Sequence, residues 1–359
     1  MTIAALEQRM AEKARAAFGD TTSIASVTAL AGDASSRRYY RAALTGPQIP
    51  QSIIIMELPS GSSLPLSSEE LAVFKEPPKE LPFLNLHRFL STIGVRVPCL
   101  YGQWEGEGIL LLEDLGDVAL WDRVQGLPES EILGWYQKAI DELLLLQLAG
   151  TDARDDSCIA FQQRFDFRLY MWEFDHFLAY GLNQRAGAEL SKNTLEELRK
   201  IFMNIARRLE SRTPCLNHRD YHSWNLMVHN DAIAVIDFQD ALLAPPEYDL
   251  ASLLNDRVTD SVILPRLEDR LLGYYLDGHR ERAKRPLDRD EFLEIYLLSA
   301  IQRDLKVVGR FYYLDIVKAK PGYKKYIPPT IRRLKRNLGR MPQTEKLLSL
   351  LGEHFEENR

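Results

Sequence analysis

The segment CLNHRDYHSWNLMVHNDAIAVIDFQD, residues 215–240, constrains the fold of this chain more than any other. It places a dense run of polar and charged side chains, from His218 to Asn225, next to two short apolar runs. Polar groups that leave water cost free energy unless they gain partners or serve a reaction. The runs NLMV and AIAVIDF, separated by the polar turn HND, predict a β-hairpin with Asp237 at its end. The fold therefore has to hold one polar loop and one aspartate beside this hairpin.

Composition excludes several classes of protein. The chain has 359 residues, with 45% hydrophobic and 27% charged residues and a net charge of −6. Nucleic-acid-binding proteins are usually basic, so we expect no nucleic-acid partner. No apolar run approaches the ~18 residues that span a bilayer, so we expect no membrane segment. The three cysteines are far apart and form no CxxC pair, which favours a reducing, cytoplasmic location without a zinc site or disulfide framework.

Strand and helix patterns divide the chain into two parts. Apolar alternation before residue 118 predicts strands and one helix, namely strands at 23–30, 37–44, 52–58, 95–103 and 108–113 and a helix at 81–93. Helical periodicity dominates afterwards, as in ESEILGWYQKAIDELLLLQLAG and FDFRLYMWEFDHFLAYGLN. We therefore predict an α+β fold with an N-terminal lobe at 1–112, a hinge at 113–117 and a helical C-terminal lobe at 118–359. A site is expected between the lobes.

The polar loop matches the spacing of the kinase catalytic loop, H-R-D-x-x-x-x-N followed by an aspartate after a strand. Phosphoryl transfer needs a carboxylate that orients and deprotonates an acceptor hydroxyl, and hard oxygen ligands for Mg²⁺. Asp220 is the candidate catalytic base, and Asn225 and Asp237 are the candidate metal ligands. ATP and Mg²⁺ are the expected cofactors. The alternative is a loop of turn-forming and capping residues, and the combined pattern favours the catalytic interpretation.

Several features separate the chain from protein kinases. His222 stands where those enzymes commonly carry Lys, and the short segment from Asp237 to Asp249 leaves little room for an activation segment, so no protein substrate is expected. A Gly-rich loop and a third-strand Lys are absent from the sequence, and Met56 occupies about the position of that Lys. Asp249 is expected to anchor the catalytic loop.

The motifs resemble the aminoglycoside/choline phosphotransferase superfamily, whose pattern is roughly H-x-D-x-H-x-x-N, I-D-[FW] and Y-D-L-A. Within it, GDASSRRYYR, ILLLEDLGD, HRDYHSWNLMV, IDFQDA and QRDLKVVGRF resemble the bacterial anomeric N-acetylmuramate/N-acetylglucosamine kinases. This resemblance implies a bilobal protein-kinase-like fold. It also implies ATP-dependent phosphorylation of an amino sugar at its anomeric hydroxyl, giving a sugar 1-phosphate in peptidoglycan recycling.

The nucleotide contacts are expected in the N-terminal lobe and the hinge. Arginines of the segment AGDASSRR can replace the absent Lys, since guanidinium groups suit phosphate oxygens. The alternative for this segment is a surface turn with solvated arginines. The candidate nucleotide-binding residues are Ser35, Ser36, Arg37, Arg38, Glu113 and Leu115.

The acceptor contacts are expected around the catalytic loop, and the candidate substrate residues are His222, Trp224, Glu173, Asp175 and Arg303. The alternative interpretation of Glu173 and Asp175 is that they lie on a solvent-exposed helix face and do not contact the substrate. One helix face carries Arg303, Lys306 and Arg310. The alternative to a role in substrate binding is that this face is a solvent-exposed basic stripe.

Two departures from the resembled kinases concern charge. Trp224 and Asn255 stand where those kinases often carry Arg, and Arg257 follows two residues later. Both departures are expected to remove positive charge near the site, so neutral N-acetylglucosamine, or a related hexose, is expected to compete well with anionic N-acetylmuramate.

Two other functions stay open. One is a phosphotransferase for another small hydroxyl compound, such as an aminoglycoside or a choline-like alcohol. The other is a nucleotide-binding pseudokinase, which the missing Lys supports and the intact catalytic residues Asp220, Asn225 and Asp237 oppose.

Overall fold

The structure is a computed structural model, and it describes residues 3–30, 37–58, 78–184, 190–257 and 259–355. The described residues form two compact units. One takes its residues from Met1–Pro65 and Val97–Asp117, and the other from Leu66–Arg96 and Val118–Arg359. Strands dominate the first unit and helices the second, which confirms the predicted α+β class.

The first unit contains a five-stranded antiparallel sheet with the strand order β1-β2-β3-β5-β4. Its strands are β1 (Ser23–Ala29), β2 (Arg38–Thr45), β3 (Ser52–Glu57), β4 (Leu100–Trp104) and β5 (Ile109–Glu113). The predicted strands are confirmed, except that β4 begins five residues later than expected, at Leu100 instead of residue 95.

Alternation along the strands decides which face of the sheet is covered. Ile53 and Ile55 of β3 are fully buried against Met10 and Ala14 of helix α1 (Ile3–Phe18). Side chains at alternate strand positions point to the same face, so a period of two in the sequence gives one apolar face. Met56, on the other face of β3, is also fully buried. The position expected for a third-strand Lys is therefore part of an apolar core.

The helices of the second unit account for most of its residues. They are, in chain order, α2 (Pro82–Thr92), α3 (Leu120–Val124), α4 (Glu129–Leu144), α5 (Phe167–His176), α6 (Lys192–Glu210), α7 (Pro246–Leu254), α8 (Pro265–Ala283), α9 (Arg289–Ile316), α10 (Ile327–Gly339) and α11 (Glu345–Phe355). Among the described residues no helix is long and apolar enough to cross a membrane.

Helix α2 belongs to the second unit, although the sequence analysis placed it in the N-terminal lobe. Its Phe83 stacks on Phe238 with ring centroids 4.9 Å apart. Its buried Asn85 donates to the carbonyl of Ser157 at 3.0 Å and accepts from the amide of Ile159 at 2.9 Å. Side-chain contacts with distant residues, which strand and helix periodicity does not report, decide this assignment. The lobe boundaries at 112 and 118 remain predictions.

Two helices continue into π-helical turns, at Leu145–Ala149 after α4 and at Phe177–Gln184 after α5. The first turn aims the buried side chain of Gln147 at the start of α7. Its Nε2 donates to the carbonyl of Pro246 at 2.8 Å, and its Oε1 accepts from the hydroxyl of Tyr275 at 2.7 Å. Such widened turns often occur where a helix serves a site, and this one supports the helix that carries Asp249.

Four short strands position the polar loop. Strand β6 (Cys215–Asn217) pairs with β9 (Leu242–Ala244), and β7 (Leu226–His229) pairs with β8 (Ala232–Val235). The turn between β7 and β8 holds two residues with positive φ, Asn230 and Asp231, as a two-residue hairpin of the mirror-image type requires. The predicted hairpin is confirmed, and the loop 218–225 lies between β6 and β7.

Candidate active site

Asn225 and Asp237 meet at the open end of the β7–β8 hairpin. The amide of Ile236 donates to the carbonyl of Asn225 at 3.0 Å, which extends the ladder by one step beyond the Leu226–Val235 pair. Asp237 follows directly, with a left-handed φ of 63° that turns the chain out of the strand. The two candidate metal ligands are therefore held side by side by backbone pairing.

The imidazole of His218 joins the catalytic loop to strand β8. Its Nε2 donates to the carbonyl of Ile236 at 2.8 Å, and its Nδ1 accepts from the amide of Asp220 at 3.3 Å. A carbonyl only accepts and an amide N–H only donates, so these partners fix the tautomer. His218 is fully buried and therefore serves to position Asp220 and Asp237, not to contact a substrate.

Asp249, in the first turn of α7, anchors the loop from the other side. Its two carboxylate oxygens accept from the amides of His218 at 2.5 Å and Arg219 at 3.0 Å. Burial raises the pKa of Asp249 to about 6, although the His218 ring and the two amide donors favour the ionised form. Arg219 has a φ of 79°, which non-glycine residues seldom adopt. Two hydrogen bonds to one carboxylate hold the loop in this uncommon conformation.

Asp220 points toward two basic side chains of α9. Its Oδ1 lies 3.5 Å from Arg303 Nη2 and 3.9 Å from Lys306 Nζ, while 39% of its side chain stays exposed. Burial of the carboxyl opposes ionisation, but the charges of Lys306, Arg303 and Arg219 outweigh it and lower the pKa of Asp220 well below its usual value. The carboxylate is therefore ionised at neutral pH and is open on one side.

Glu173 supplies the counter-charge in this group. It is 1% exposed, and its Oε1 lies 3.4 Å from Arg219 Nη2 and 3.3 Å from Lys306 Nζ. Its Oε2 accepts from Gln302 Nε2 at 2.6 Å. We call the four side chains Arg219, Arg303, Lys306 and Glu173 the cationic cluster. The solvated alternative for Glu173 is wrong, and the structure brings this residue to the site through Arg219 and Lys306.

Asp175 does not join Glu173 at the site. Its carboxylate pairs with Arg199 of α6 at 2.9 Å, and its side chain is 48% exposed. Positions two apart on a helix lie about 200° apart around its axis, so one faces the cluster while the other faces solvent. The expected role of Asp175 as a substrate residue is not supported by its position.

The solvated alternative for the basic stripe of α9 is also wrong for two of its three members. Arg303 is 7% exposed and donates through Nη1 to the carbonyl of Arg219 at 2.7 Å, and Lys306 is 13% exposed. Helix α9 is covered on more than one side, so its polar stripe is enclosed too. Lys306 was not among the predicted site residues, and its i, i+3 spacing from Arg303 is the signal that could have found it.

Trp224 and His222 line the other side of the loop. The Trp224 ring stacks on Trp121 with centroids 6.0 Å apart, and the Arg257 guanidinium lies 5.2 Å from the Trp224 ring. Burial lowers the pKa of His222, against the nearby negative charges of Asp256 and Asp220. His222 is therefore a neutral, partly buried polar group on which the charges of Asp220 and Arg257 both act.

Asn255 is a structural residue. Its Nδ2 donates to Tyr296 Oη at 2.6 Å, and its Oδ1 accepts from Asn337 Nδ2 at 3.0 Å. Neither Asn255 nor Trp224 brings a positive charge to the loop, and the guanidinium of Arg257 lies 5.2 Å from the Trp224 ring. The expectation about the charge of the preferred sugar stays a prediction.

The donor set at the hairpin fits a hard cation. Asn225 donates through Nδ2 to the carbonyl of Asp220 at 3.0 Å, which leaves its Oδ1 as the atom able to bind a metal. Asp237 accepts from Gln239 Nε2 at 2.8 Å through Oδ1. Within the described part of the chain, no group of three or more His, Cys, Asp or Glu forms a metal cage. An amide oxygen and one carboxylate suit Mg²⁺, which keeps waters and phosphate oxygens as its other ligands.

The predicted nucleotide contacts are only partly described. Ser35 and Ser36 lie outside the described residues. Arg37 directly precedes β2, and Arg38 is 67% exposed with Nη1 4.0 Å from Glu57 Oε2.

The two hinge candidates for nucleotide contact end the sheet of the first unit. Glu113 accepts through Oε2 from the amide of Cys99 at 3.0 Å, and Leu115 is buried. Their nucleotide contacts remain predictions, as does that of Arg37.

Comparison with known proteins places this geometry in a family. The model of the phosphotransferase enzyme family matches residues 26–285, which include the catalytic loop and Asp237. The N-acetylmuramate/N-acetylglucosamine kinase of Pseudomonas aeruginosa is 30% identical over 324 residues, covering 89% of this chain and 86% of that protein. The enzyme of the same name from Neisseria meningitidis serogroup B is 27% identical, with coverage of 91% and 90%. The resemblance drawn from the motifs is thereby confirmed.

Solved structures agree on the fold. The choline kinase LicA from Streptococcus pneumoniae superposes with a TM-score of 0.58 at 15% identity, covering 94% of this chain and all of that one. The ADP-bound aminoglycoside phosphotransferase APH(2'')-Ib gives 0.58 at 14% identity, covering 92% and 97%. These likenesses confirm the protein-kinase-like fold class. Since the family model and the relatives both span the loop, the hairpin and Asp249, the chain belongs to the phosphotransferase enzyme family.

Proposed function

We propose that this protein transfers the γ-phosphoryl group of ATP to the anomeric hydroxyl of an amino sugar and so produces a sugar 1-phosphate. The observation that carries the proposal is the setting of Asp220. Its carboxylate is ionised, 39% exposed and placed on a loop that His218 and Asp249 hold in position. Relatives named N-acetylmuramate/N-acetylglucosamine kinase support an amino-sugar acceptor.

Asp220 is the proposed base. The basic side chains beside it lower its pKa, which makes it a weak proton acceptor. A weak base suits a reaction in which the phosphoryl group is already loosely held and the hydroxyl loses its proton late. It also suits an acidic hydroxyl. The anomeric hydroxyl of a sugar is more acidic than an ordinary alcohol, so the electrostatics of Asp220 favour it as the acceptor.

Asn225 and Asp237 would hold Mg²⁺ through Oδ1 of the amide and one carboxylate oxygen. When bound, the ion neutralises phosphate charge. The hairpin keeps these two ligands next to each other, and the hydrogen bond from Asn225 Nδ2 to the carbonyl of Asp220 links them to the base. Metal binding and base positioning are therefore coupled through one amide group.

The nucleotide is proposed to contact Ser35, Ser36, Arg37, Arg38, Glu113 and Leu115. Met56 is enclosed in an apolar core, so a cation for the phosphates has to come from another position. Arg37 and Arg38, at the start of β2, are the proposed source, because guanidinium groups bind phosphate oxygens well. We place the reaction in the cytoplasm, as part of peptidoglycan recycling.

The test is to incubate the protein with ATP, Mg²⁺ and a panel of acceptors: N-acetylmuramate, N-acetylglucosamine, choline and an aminoglycoside. Proton-coupled ³¹P NMR of the product is expected to show coupling to the anomeric proton, and a reducing-end assay is expected to show loss of reducing power. The Asp220→Asn variant is the control for contaminating kinases. A 6-phosphate, or turnover with choline or the aminoglycoside alone, would contradict the proposal. Nucleotide binding without turnover of any acceptor would indicate a pseudokinase.

A further inference from the structure

One guanidinium beside the loop 218–225, that of Arg257, has no carboxylate partner within the part of the chain that the structure describes. The Arg257 guanidinium lies 5.2 Å from the centroid of the Trp224 ring and 5.1 Å from that of Tyr326. We call Trp224, Arg257 and Tyr326 the aromatic clamp. No Asp or Glu among the described residues forms an ion pair with Arg257, whereas Arg219 and Arg303 both contact carboxylates. The clamp therefore holds a positive charge that forms no ion pair with a carboxylate of the described residues, although the Asp256 carboxylate binds the backbone amide of Arg257.

Unpartnered polar atoms are concentrated at the same place. Arg257 Nε, Trp224 Nε1 and His222 Nδ1 are buried and have no hydrogen-bond partner among the described residues. A buried polar atom without a partner costs about 1–3 kcal/mol. Three such atoms therefore lie on side chains in or beside the loop 218–225. A ligand that supplies acceptor atoms would relieve this cost after small side-chain shifts.

The backbone that carries Arg257 is tied to the catalytic loop. Asp256 accepts through Oδ2 from Ser223 Oγ at 2.8 Å and through Oδ1 from the amide of Arg257 at 2.5 Å. The carbonyl of Asp256 accepts from Arg333 of α10. Arg257 is thus held in position relative to the loop, and its charge acts on the His222 ring, on which Asp256 and Asp220 act with the opposite sign. His222 therefore links the clamp to the proposed base.

We propose that Arg257, held in the aromatic clamp, binds an anionic substituent of the acceptor, specifically the carboxylate of a carboxylate-bearing amino sugar. The inference rests on the proposed function and adds to it the charge class of the preferred substrate. Aromatic rings on the faces of a planar guanidinium leave its N–H edge free for bidentate contact with a carboxylate. Partial desolvation by the two rings strengthens that contact relative to one in water.

The consequence differs from the expectation drawn from the sequence, which was that neutral N-acetylglucosamine would compete well with N-acetylmuramate. Trp224 and Asn255 do replace expected arginines, but Arg257 keeps a cation near the site. N-acetylmuramate carries a lactyl carboxylate and N-acetylglucosamine does not. The anionic sugar is therefore the better substrate, and the difference is expected in KM more than in kcat because the contact is made before the phosphoryl group moves.

The experiment measures kcat and KM for both sugars with the wild-type protein, Arg257→Gln and Arg257→Lys. Arg257→Gln is expected to lower kcat/KM for N-acetylmuramate at least about tenfold, which corresponds to 1.4 kcal/mol, and to leave that for N-acetylglucosamine within about twofold. Arg257→Lys keeps the charge but loses the bidentate edge, so it is expected to give an intermediate loss. Arg332→Gln, at an exposed position of α10, is the matched charge control.

Each outcome bears on the proposal. An equal loss with both sugars would assign Arg257 a structural role and overturn the inference, and so would an unchanged ratio of the two kcat/KM values. If Arg257→Gln fails to fold, the ratio in Arg257→Lys decides in the same way. If the wild-type protein phosphorylates neither sugar, the proposed function fails and the inference fails with it. That result appears in the wild-type assay alone, so the two failures are distinguishable.

Discussion

The cationic cluster and the aromatic clamp both place positive charge beside the catalytic loop, but they differ in how that charge is balanced. In the cluster, Glu173 lies within 3.4 Å of Arg219 and 3.3 Å of Lys306, and all of these side chains are largely enclosed. In the clamp, Arg257 has aromatic rings as its neighbours and no carboxylate partner among the described residues. One group is balanced within the protein, and the other is left for a ligand to balance.

Because of this difference, we expect the basic side chains of the cluster and of the clamp to have different functions. Charges that are paired inside the fold set the ionisation and position of Asp220 and are present whether or not a substrate is bound. A charge without an internal partner gains its full interaction only when an anion arrives. Variants of the cluster are therefore expected to change kcat or stability, and variants of the clamp to change the choice of substrate.

The largest effect is expected from removing the charge that the cluster surrounds. Asp220→Asn is expected to lower kcat by about 10³-fold, because a general base contributes 10²–10⁴-fold. Its affinity for ADP, measured by calorimetry, is expected to stay within about threefold, since the base acts on the acceptor. Asp277→Asn, an exposed carboxylate of α8, is the control. Near-normal kcat in Asp220→Asn would remove the residue from the proposed mechanism.

The next effect comes from removing the counter-charge. Glu173→Gln leaves buried cations without compensation and is expected to lower the free energy of unfolding by about 3 kcal/mol. Asp175→Asn, on the same helix but in an exposed pair with Arg199, is expected to change it by less than about 0.5 kcal/mol. Chemical denaturation of both variants measures the difference. Equal losses would show that the cluster is not a distinct electrostatic unit.

A smaller effect is expected at Lys306, whose Nζ lies 3.3 Å from Glu173 Oε1 and 3.9 Å from Asp220 Oδ1. Lys306→Met is expected to lower kcat about tenfold, or 1.4 kcal/mol, with little change in either KM, because it removes a cation beside the base and not a substrate contact. Lys306→Arg is expected to restore most of kcat. A structural role would instead lower stability without separating kcat from KM, and Arg would then not rescue. Lys346→Met, at an exposed pair with Glu197, is the control.

The smallest effect is expected for an ion pair in the first unit. Arg41 donates to Asp114 at 2.7 Å and Ser52 donates to it as well; although burial opposes ionisation, these bonds lower the pKa of Asp114 below its usual 3.8. The folded pKa is lower than the unfolded one, so this stabilisation is complete above about pH 4 and is lost as the pH falls below that value. Melting temperatures of the wild type and Asp114→Asn should therefore converge toward pH 3. A constant difference from pH 3 to 7 would contradict this assignment.

The periodicity of apolar residues predicted most of the helices and strands, because an element that packs on the core through one face carries one apolar stripe. Strand β3 shows this on the face covered by α1, where the alternate residues Ile53 and Ile55 are buried, although Met56 is buried on the other face. The same reasoning failed for α9, which the sequence analysis treated as having a solvated side. Coverage by several neighbouring helices encloses its polar stripe, so Arg303 and Lys306 are buried although their spacing is that of an exposed face.

The arrangement of the loop 218–225 was predictable because its residues are close in the sequence and one hairpin follows them. The β7–β8 ladder holds Asn225 beside Asp237, and the Asn225 amide donates to the carbonyl of Asp220. The catalytic and metal-binding roles of these residues stay predictions. The charged residues around Asp220 come from helices distant in the sequence, and tertiary packing alone decides which side chains lie there. Glu173 lies in the cationic cluster and Asp175 does not, although they are two positions apart. Pairwise contacts of this kind leave no periodic signal.

Asp256 has a consequence for the length of chain that this activity requires. Its side chain binds Ser223 and its carbonyl binds Arg333, whose guanidinium also pairs with the buried Asp304. The catalytic loop is therefore braced by α10, which follows every recognisable motif. A shortened gene product ending before that helix would retain all the signature residues and still be expected to lose activity. Motif content alone is thus a poor guide to which truncated copies of such a gene encode a working enzyme.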